Sequence, residues 1–241
     1  MADTIRVLNA EQFATNCRSN ILRMVRAGGH GHVGGALSCM DVVAALYSDK
    51  MNIDPSNPKD ENRDRFLLSA GHKCLAQYAA LAERGFFEKE ILDTYGALGS
   101  HIPGHPDMHK LPGVEANTGA LGHGISIANG IAMAGKMDHK DYKVYVVTGD
   151  GELPEGSNWE AAAAAAKFGL DNLVVFVDNN GLQISGRVND VMSMESIRGK
   201  FEAFGFACKE IDGNNMEEIL DTLDAVPLEK GKPTAVIMHT V

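Results

Sequence analysis

The second half of the chain alternates between short apolar segments and amphipathic segments, and no other feature constrains the fold as strongly. Strands separated by helices of about ten to fifteen residues form βαβ units, which build a parallel sheet. The sequence therefore predicts an α/β fold from about residue 121 onward. The predicted elements are helix 121–136, strand 143–148, helix 157–168, strand 173–177, helix 195–203, strand 206–211, helix 215–224 and strand 234–240.

The first half is less regular and is predicted to be mostly helical up to about residue 65. Asn9 precedes Gln12 at the spacing of a capping box, and apolar residues then recur every four positions, which predicts a helix over 10–26. Ser38 is a candidate N-cap for a helix that runs to about Tyr47. Further on, the pattern predicts turns at 52–62, a strand at 66–68, a helix at 73–84 and a long irregular segment at 99–120.

Composition narrows the class of protein and its surroundings. Hydrophobic residues make up 44% of the 241 residues and charged residues 22%, as in ordinary globular proteins, and no composition break divides the chain. We therefore expect a single domain over 1–241. A net charge of −10 disfavours non-specific binding to nucleic acid or anionic lipid. The four cysteines form no CxxC pair, and neither a signal peptide nor a spanning segment is evident, so we expect a cytoplasmic protein with no membrane partner.

Two polar loops follow consecutive predicted strands. The first contains Gly149, Asp150 and Gly151, and the second contains Asn180 and Gly181. Because the carboxyl ends of neighbouring parallel strands meet at one edge of a sheet, Asp150 and Asn180 are expected to lie close together. Magnesium prefers such hard oxygen ligands and takes the others from phosphate and water. The glycines leave room for a diphosphate to approach.

Histidines are concentrated in the first half, where seven of the nine fall between His30 and His123, mostly beside glycine. Glycine allows the backbone to bend and a ligand to approach closely. This clustering indicates a site. Histidine also titrates near neutrality, which suits proton transfer.

Five ordered motifs resemble one family over nearly the whole chain. They are Gly31–Ser38 (GHVGGALS), Ser69–His72 (SAGH), Leu98–Asp107 (LGSHIPGHPD), Leu111–Gly124 (LPGVEANTGALGHG) and Asp150–Gly156 (DGELPEG). The GDG and NN elements are similar to the shared signature of thiamine-diphosphate enzymes, and the set resembles the amino-terminal half of transketolases. The resemblance implies a three-layer, doubly wound parallel sheet with helices on both faces, the diphosphate-binding domain of the thiamine-diphosphate-binding fold.

The resemblance also implies how the cofactor is held. Asp150, Asn180 and the main-chain carbonyl of Leu182 would bind Mg²⁺, or Ca²⁺ or Mn²⁺ in its place. The metal would in turn hold the diphosphate of thiamine diphosphate, which Gly151 and Asn180 would also contact. The cofactor supplies the carbanion chemistry, whereas the protein positions the reactants and manages protons.

Other residues take their implied roles from matching motif positions. Gly119 and Leu121 would lie against the aminopyrimidine ring, and Glu155 would lie in a subunit interface that links two active sites. His32, His72 and His105 would face the reactive carbon of the cofactor and the sugar, with His72 also contacting the cofactor. The implied reaction transfers a two-carbon ketol unit from a ketose, such as a ketose phosphate, to an aldose.

The family's pyrimidine-binding half has no counterpart in this sequence. The simplest hypothesis is a split enzyme in which a C-terminal transketolase subunit supplies that half, in an α2β2 heterotetramer. Val33 stands where the family usually has proline, and His123 where it usually has glutamine. Both lie near the expected substrate channel, so the sugars stay open, and a branched or sulfonated ketose is an alternative.

Three further alternatives remain at this point. The α subunit of a 2-oxo acid dehydrogenase shares the GDG and NN elements but lacks the histidine motifs. A metal-dependent hydrolase is suggested by the spacing of His30 with His32 and of His105 with His109. A non-catalytic module that only binds the cofactor is the third.

Overall fold

The computed structural model describes residues 2–241, so Met1, the first residue of the predicted domain, lies outside the described residues. The α-helices are α1 (Thr4–Gly28), α2 (Val33–Ser38), α3 (Met40–Ala45), α4 (Cys74–Arg84), α5 (Gly124–Met137), α6 (Gly156–Lys167), α7 (Val188–Met192), α8 (Ile197–Ala203) and α9 (Met216–Ala225). The strands are β1 (Arg65–Leu68), β2 (Val144–Gly149), β3 (Leu173–Asn179), β4 (Leu182–Gln183), β5 (Gly186–Arg187), β6 (Ala207–Asp212) and β7 (Thr234–His239).

Five of these strands form one parallel sheet in the order β1-β2-β3-β7-β6. The last strand, β7, is inserted between β3 and β6, and every residue of β2 is buried. Strands buried on both faces read as continuous apolar runs, as β2 and β3 do. The predicted parallel α/β architecture is confirmed.

The sheet is covered on both faces by helices, which gives three layers. Side chains alternate along a strand, so Phe66 and Leu68 join a core with Tyr78 of α4, whereas Leu67 joins the opposite core with Phe201 of α8. The first core also receives α1, α3 and α9, and the second receives α5 and α6. This arrangement confirms the doubly wound, three-layer fold.

Two predicted helix starts are wrong. The first helix begins at Thr4 and not near residue 10, because the Asp3 carboxylate accepts a hydrogen bond from the Ile5 N–H at 3.2 Å and caps it earlier. Ser38 ends α2 and is not an N-cap, since its hydroxyl donates to the Asp178 carboxylate at 2.6 Å. In both cases a nearby carboxylate decides the outcome.

The parallel topology places the functional loops at one edge. Gly149 at the end of β2 lies opposite Asp178 near the end of β3, so the residues that follow the two strands emerge side by side. The segment from Tyr95 to His123 contains neither a helix nor a strand, in agreement with the predicted irregular segment. Within residues 2–241, no helix is both long enough and apolar enough to cross a membrane.

Candidate functional site

The Asp150 carboxylate lies at the carboxyl end of β2 and joins two loops. One oxygen accepts a hydrogen bond from the Gly151 N–H at 2.8 Å, and the other accepts one from the Gly181 N–H at 2.7 Å. Burial raises the pKa of Asp150, and the two backbone donors oppose that increase. A cation bound at this carboxylate would favour its ionised form further.

Asn180 follows β3 and presents both of its polar atoms in fixed directions. Its Oδ1 accepts from the Leu182 N–H at 3.0 Å, and its Nδ2 donates to the Ser38 hydroxyl at 3.3 Å. Gly181, between them, has a φ of 72°, a backbone conformation that favours glycine. The tight turn therefore orients Asn180 and Leu182 together at the edge of the sheet.

A cavity of about 560 Å³ opens between these loops. Seven of the ten residues predicted for the site line it: His32, His72, Leu121, Asp150, Gly151, Asn180 and Leu182. The other three are near it without lining it. His105 packs its ring on Gly119, where an added Cβ would lie 2.7 Å from the His105 Cδ2 atom, and Glu155 is exposed beside Gly122.

The cavity offers oxygen ligands of the kind that magnesium binds. Asp150 supplies a carboxylate, Asn180 an amide oxygen and Leu182 a main-chain carbonyl, a set that leaves positions for phosphate oxygens and water. Gln183, which also lines the cavity, has a buried Oε1 without a hydrogen-bond partner. These residues fit a magnesium diphosphate. Among residues 2–241 no group of three histidine, cysteine or acidic side chains could hold a metal, which gives no support to a hydrolase of that kind.

Two histidines, His32 and His72, lie side by side in the lining of the cavity. Their rings meet edge to face with centroids 5.0 Å apart. The pKa of His72 is lowered to about 4, mainly by burial and in addition by the charges of Lys73, His32 and His105. His72 is therefore a neutral imidazole at pH 7 and has one ring nitrogen free to accept a proton.

Glu152 accepts hydrogen bonds from four donors and so connects three of the five motifs, a role that the sequence pattern did not reveal. One carboxylate oxygen accepts from the Ser69 hydroxyl and from the Gly122 N–H, the latter at 2.8 Å. The other accepts from the Thr148 hydroxyl at 2.9 Å and from the Gly149 N–H at 3.3 Å. Because Glu152 is buried, these donors satisfy carboxyl oxygens that water cannot reach. The only signal in the sequence was its place in the DGELPEG motif.

A buried ion pair between Lys73 and Asp178 also went unpredicted. The two side chains are 4% and 0% exposed. Burial lowers the pKa of Lys73, but the adjacent Asp178 carboxylate, together with Cys39 and Asp150, more than compensates, and the pKa is raised. Asp178 also accepts from the Thr240 hydroxyl at 2.5 Å and from Ser38, whose hydroxyl in turn accepts from Asn180. The pair is therefore linked to a predicted metal ligand.

Comparison with known proteins identifies the family of the chain. Residues 9–241 match the family model described as transketolase, thiamine diphosphate binding domain. The chain is 48% identical over 223 residues to a protein of Phocaeicola vulgatus named as one subunit of apulose-4-phosphate transketolase, and the match covers 92% of this chain and 79% of that relative. It is 40% identical over 239 residues to 6-deoxy-6-sulfo-D-fructose transketolase subunit SqwG of Clostridium sp. (strain MSTE9), with coverages of 97% and 87%.

Solved structures give the same result. The transketolase from Leishmania mexicana is similar over 100% of this chain with a TM-score of 0.90 and 32% identity. The match covers only 37% of that transketolase chain. The chain thus spans most of the two relatives that are named as subunits, but little more than a third of the Leishmania mexicana transketolase chain.

Proposed function

This chain belongs to the transketolase family, and we propose that it is the N-terminal subunit of an enzyme that transfers a two-carbon ketol unit from a ketose, such as a ketose phosphate, to an aldose. We treat residues 1–241 as one thiamine-diphosphate-binding domain. The observation that carries the proposal is the convergence, in one cavity, of the oxygen ligands Asp150 and Asn180 with the histidines His32 and His72.

Different residues of the cavity would bind the metal and the cofactor. Asp150, Asn180 and the Leu182 carbonyl would hold Mg²⁺, or Ca²⁺ or Mn²⁺ in its place, and the metal would anchor the diphosphate beside Gly151. Thiamine diphosphate, when bound, supplies the carbanion chemistry of ketol transfer. Leu121 offers an apolar contact on the same cavity wall, where the cofactor's ring would rest.

In this proposal, the histidines form hydrogen bonds with the hydroxyl groups of the sugar and exchange protons with them. His72 is neutral at pH 7, with a pKa of about 4, so its free ring nitrogen accepts a hydrogen bond from a sugar hydroxyl. His32, against its edge, is exposed to the open side of the cavity and is placed to meet the substrate. His105, held on Gly119, would complete the group of three catalytic histidines.

A second chain completes the enzyme in this proposal. The relatives of similar length are named as subunits of transketolases, which supports a C-terminal partner that carries the pyrimidine-binding half. A partner chain could bury the apolar side chains at the cavity rim, where Leu182 is 62% and Ile184 is 97% exposed. We propose an α2β2 heterotetramer with Glu155, which is exposed here, in the interface between active sites. Four free cysteines are in keeping with a cytoplasmic enzyme.

The substrate is proposed to be a branched or sulfonated ketose as an alternative to the common ketose phosphates. The name of the Phocaeicola vulgatus relative contains the sugar apulose 4-phosphate, and the name of the Clostridium relative contains 6-deoxy-6-sulfo-D-fructose. Val33, which lines the cavity where proline is usual in the family, leaves the backbone beside His32 less restricted. A substrate panel therefore has to include both kinds of sugar.

The test is co-purification of this chain with the chain encoded beside it, followed by ketol-transfer assays. We expect transfer only when both chains, thiamine diphosphate and magnesium are present. Full activity from this chain alone would refute the split enzyme. Carbon dioxide release from a 2-oxo acid, with no transfer between sugars, would replace the proposed reaction with that of a 2-oxo acid dehydrogenase. Binding of the cofactor without either reaction would leave a non-catalytic module.

A further inference from the structure

Lys73 is a buried ammonium group whose hydrogen-bonding capacity is only partly used. Its side chain is 4% exposed, and among residues 2–241 its Nζ donates to the Asp178 carboxylate alone. An ammonium group has three N–H donors. Two donors are therefore left without a protein partner at a depth where an unsatisfied charged donor is costly.

The side chain of Lys73 reaches the cavity between two glycines. An added Cβ on Gly35 would lie 3.2 Å from Cε and 3.3 Å from Cγ of Lys73, so the aliphatic part passes directly against that glycine. At the far end, an added Cβ on Gly149 would lie 3.4 Å from Nζ. Gly149 directly precedes Asp150, and both line the same cavity as Lys73. The ammonium group is therefore held next to the proposed metal ligand.

The charged side chains that line the cavity are mostly acidic, and Lys73 is the exception. Among the described residues that line it, Lys73 is the only lysine or arginine, whereas Asp150 and Glu152 contribute carboxylates. The four oxygen contacts of Glu152 are directed at its own donors, away from any ligand. A diphosphate that enters this cavity thus meets one fixed cation supplied by the protein, and hydrogen bonds between ionised groups are the stronger kind.

We propose that Lys73 is a binding residue for the anionic oxygens of the diphosphate, to which it donates the N–H bonds that Asp178 leaves unused. The inference rests on the proposed function, since it assigns a further residue to the same diphosphate site. Lys73 would act with the metal and not in place of it. Its pairing with Asp178 holds Nζ in position before the ligand arrives, which lowers the cost of ordering the side chain on binding.

The experiment measures binding of inorganic pyrophosphate with Mg²⁺ to the full chain by isothermal titration calorimetry. Replacing Lys73 alone leaves Asp178 buried and unpaired, which endangers the fold. The wild type is therefore compared with the double variant Lys73→Met/Asp178→Asn, which leaves neither buried charge unpaired. Lys50→Met is the matched control, because Lys50 pairs with Asp224 at 2.9 Å on the surface, outside the cavity.

The double variant is expected to bind about tenfold more weakly or worse, the order of one lost charge-assisted hydrogen bond. Lys50→Met should bind like the wild type. Equal affinity of the wild type and the double variant would overturn the role of Lys73 and leave the diphosphate site intact. Absence of pyrophosphate binding by the wild type would instead overturn the proposed site itself.

Discussion

The Asp150 carboxylate accepts a hydrogen bond from the N–H of Gly181 at 2.7 Å and so fastens together two loops that are 31 positions apart in the chain. Asp150 thereby holds the turn that orients Asn180 and Leu182, besides offering a ligand of its own. A buried carboxylate with a raised pKa is also a group whose ionised form gains from a bound cation. Assembly of the site and binding of the proposed metal would therefore be coupled through this residue.

We predict that Asp150→Asn weakens magnesium-dependent binding of thiamine diphosphate by at least about tenfold, because the site loses its charged oxygen ligand. The Asn side chain can still accept from one backbone N–H, so the fold should be retained. Calorimetric titration with the cofactor at saturating magnesium measures the change, with circular dichroism as the check on folding. Asp190→Asn, an exposed carboxylate, is the control. Unchanged affinity in D150N would remove Asp150 from the metal site.

Glu152→Gln is predicted to destabilise the chain by about 2–4 kcal/mol, because an amide NH₂ would then face donors in place of an oxygen and leave buried groups unsatisfied. The affected donors include the Ser69 hydroxyl and the Gly122 N–H. Urea denaturation followed by tryptophan fluorescence measures the free energy of unfolding. Glu160→Gln is the matched control, since Glu160 is an exposed residue of α6. Equal stability of the two variants would contradict the central role of Glu152.

His72 is predicted to make the stability of the chain depend on pH. Its pKa is lowered from 6.5 to about 4 in the folded chain, so the unfolded chain takes up this proton first as the pH falls. The associated stability is complete above pH 6.5 and is lost progressively as the pH falls through about 4.

His72→Gln removes that titration. Between pH 6.5 and 4, the free energy of unfolding should therefore fall less steeply for the variant than for the wild type, as measured by urea denaturation at a series of pH values. His109→Gln, at an exposed position, should follow the wild type. Parallel curves for the wild type and H72Q would show that His72 titrates normally.

Gly71→Ala is predicted to destabilise the chain by about 1–3 kcal/mol through overpacking. An added Cβ would lie 2.7 Å from the carbonyl of Thr118 and from the nitrogen of Gly119, which are backbone atoms that cannot rotate away. Displacement of this loop should also weaken cofactor binding, because Gly119 supports His105. Gly34→Ala, where an added Cβ meets nothing within 4 Å, is the control in thermal denaturation. A G71A variant as stable as G34A would contradict the close packing.

Several features of the site were predictable because each depends on local sequence. The strands β2 and β3 are continuous apolar runs, and the polar loops that follow them contain Asp150 and Asn180. Parallel strands then bring those loops to one edge whatever the remaining strand order. The glycine-rich motifs likewise predicted that His32 and His72 would belong to the site, and both line the cavity.

Other features depend on contacts between distant residues, which no local pattern encodes. Lys73 reads as the first residue of a helix, and Asp178 as a polar residue at the end of a strand, yet they meet 105 positions apart as a buried ion pair. The start of α1 at Thr4 required knowing that the Asp3 side chain turns back to the backbone. The insertion of β7 between β3 and β6 is decided by packing of the whole sheet.

The sequence by itself therefore determined the parallel α/β class, the loops that carry the oxygen ligands and the family to which the chain belongs. Only the tertiary structure decided which groups satisfy the buried polar side chains, namely the four donors to Glu152 and the ion pair of Lys73 with Asp178. The physical reason is that secondary structure follows from periodicity along the chain, whereas the pairing of a buried charge depends on which groups folding brings within about 3 Å of it.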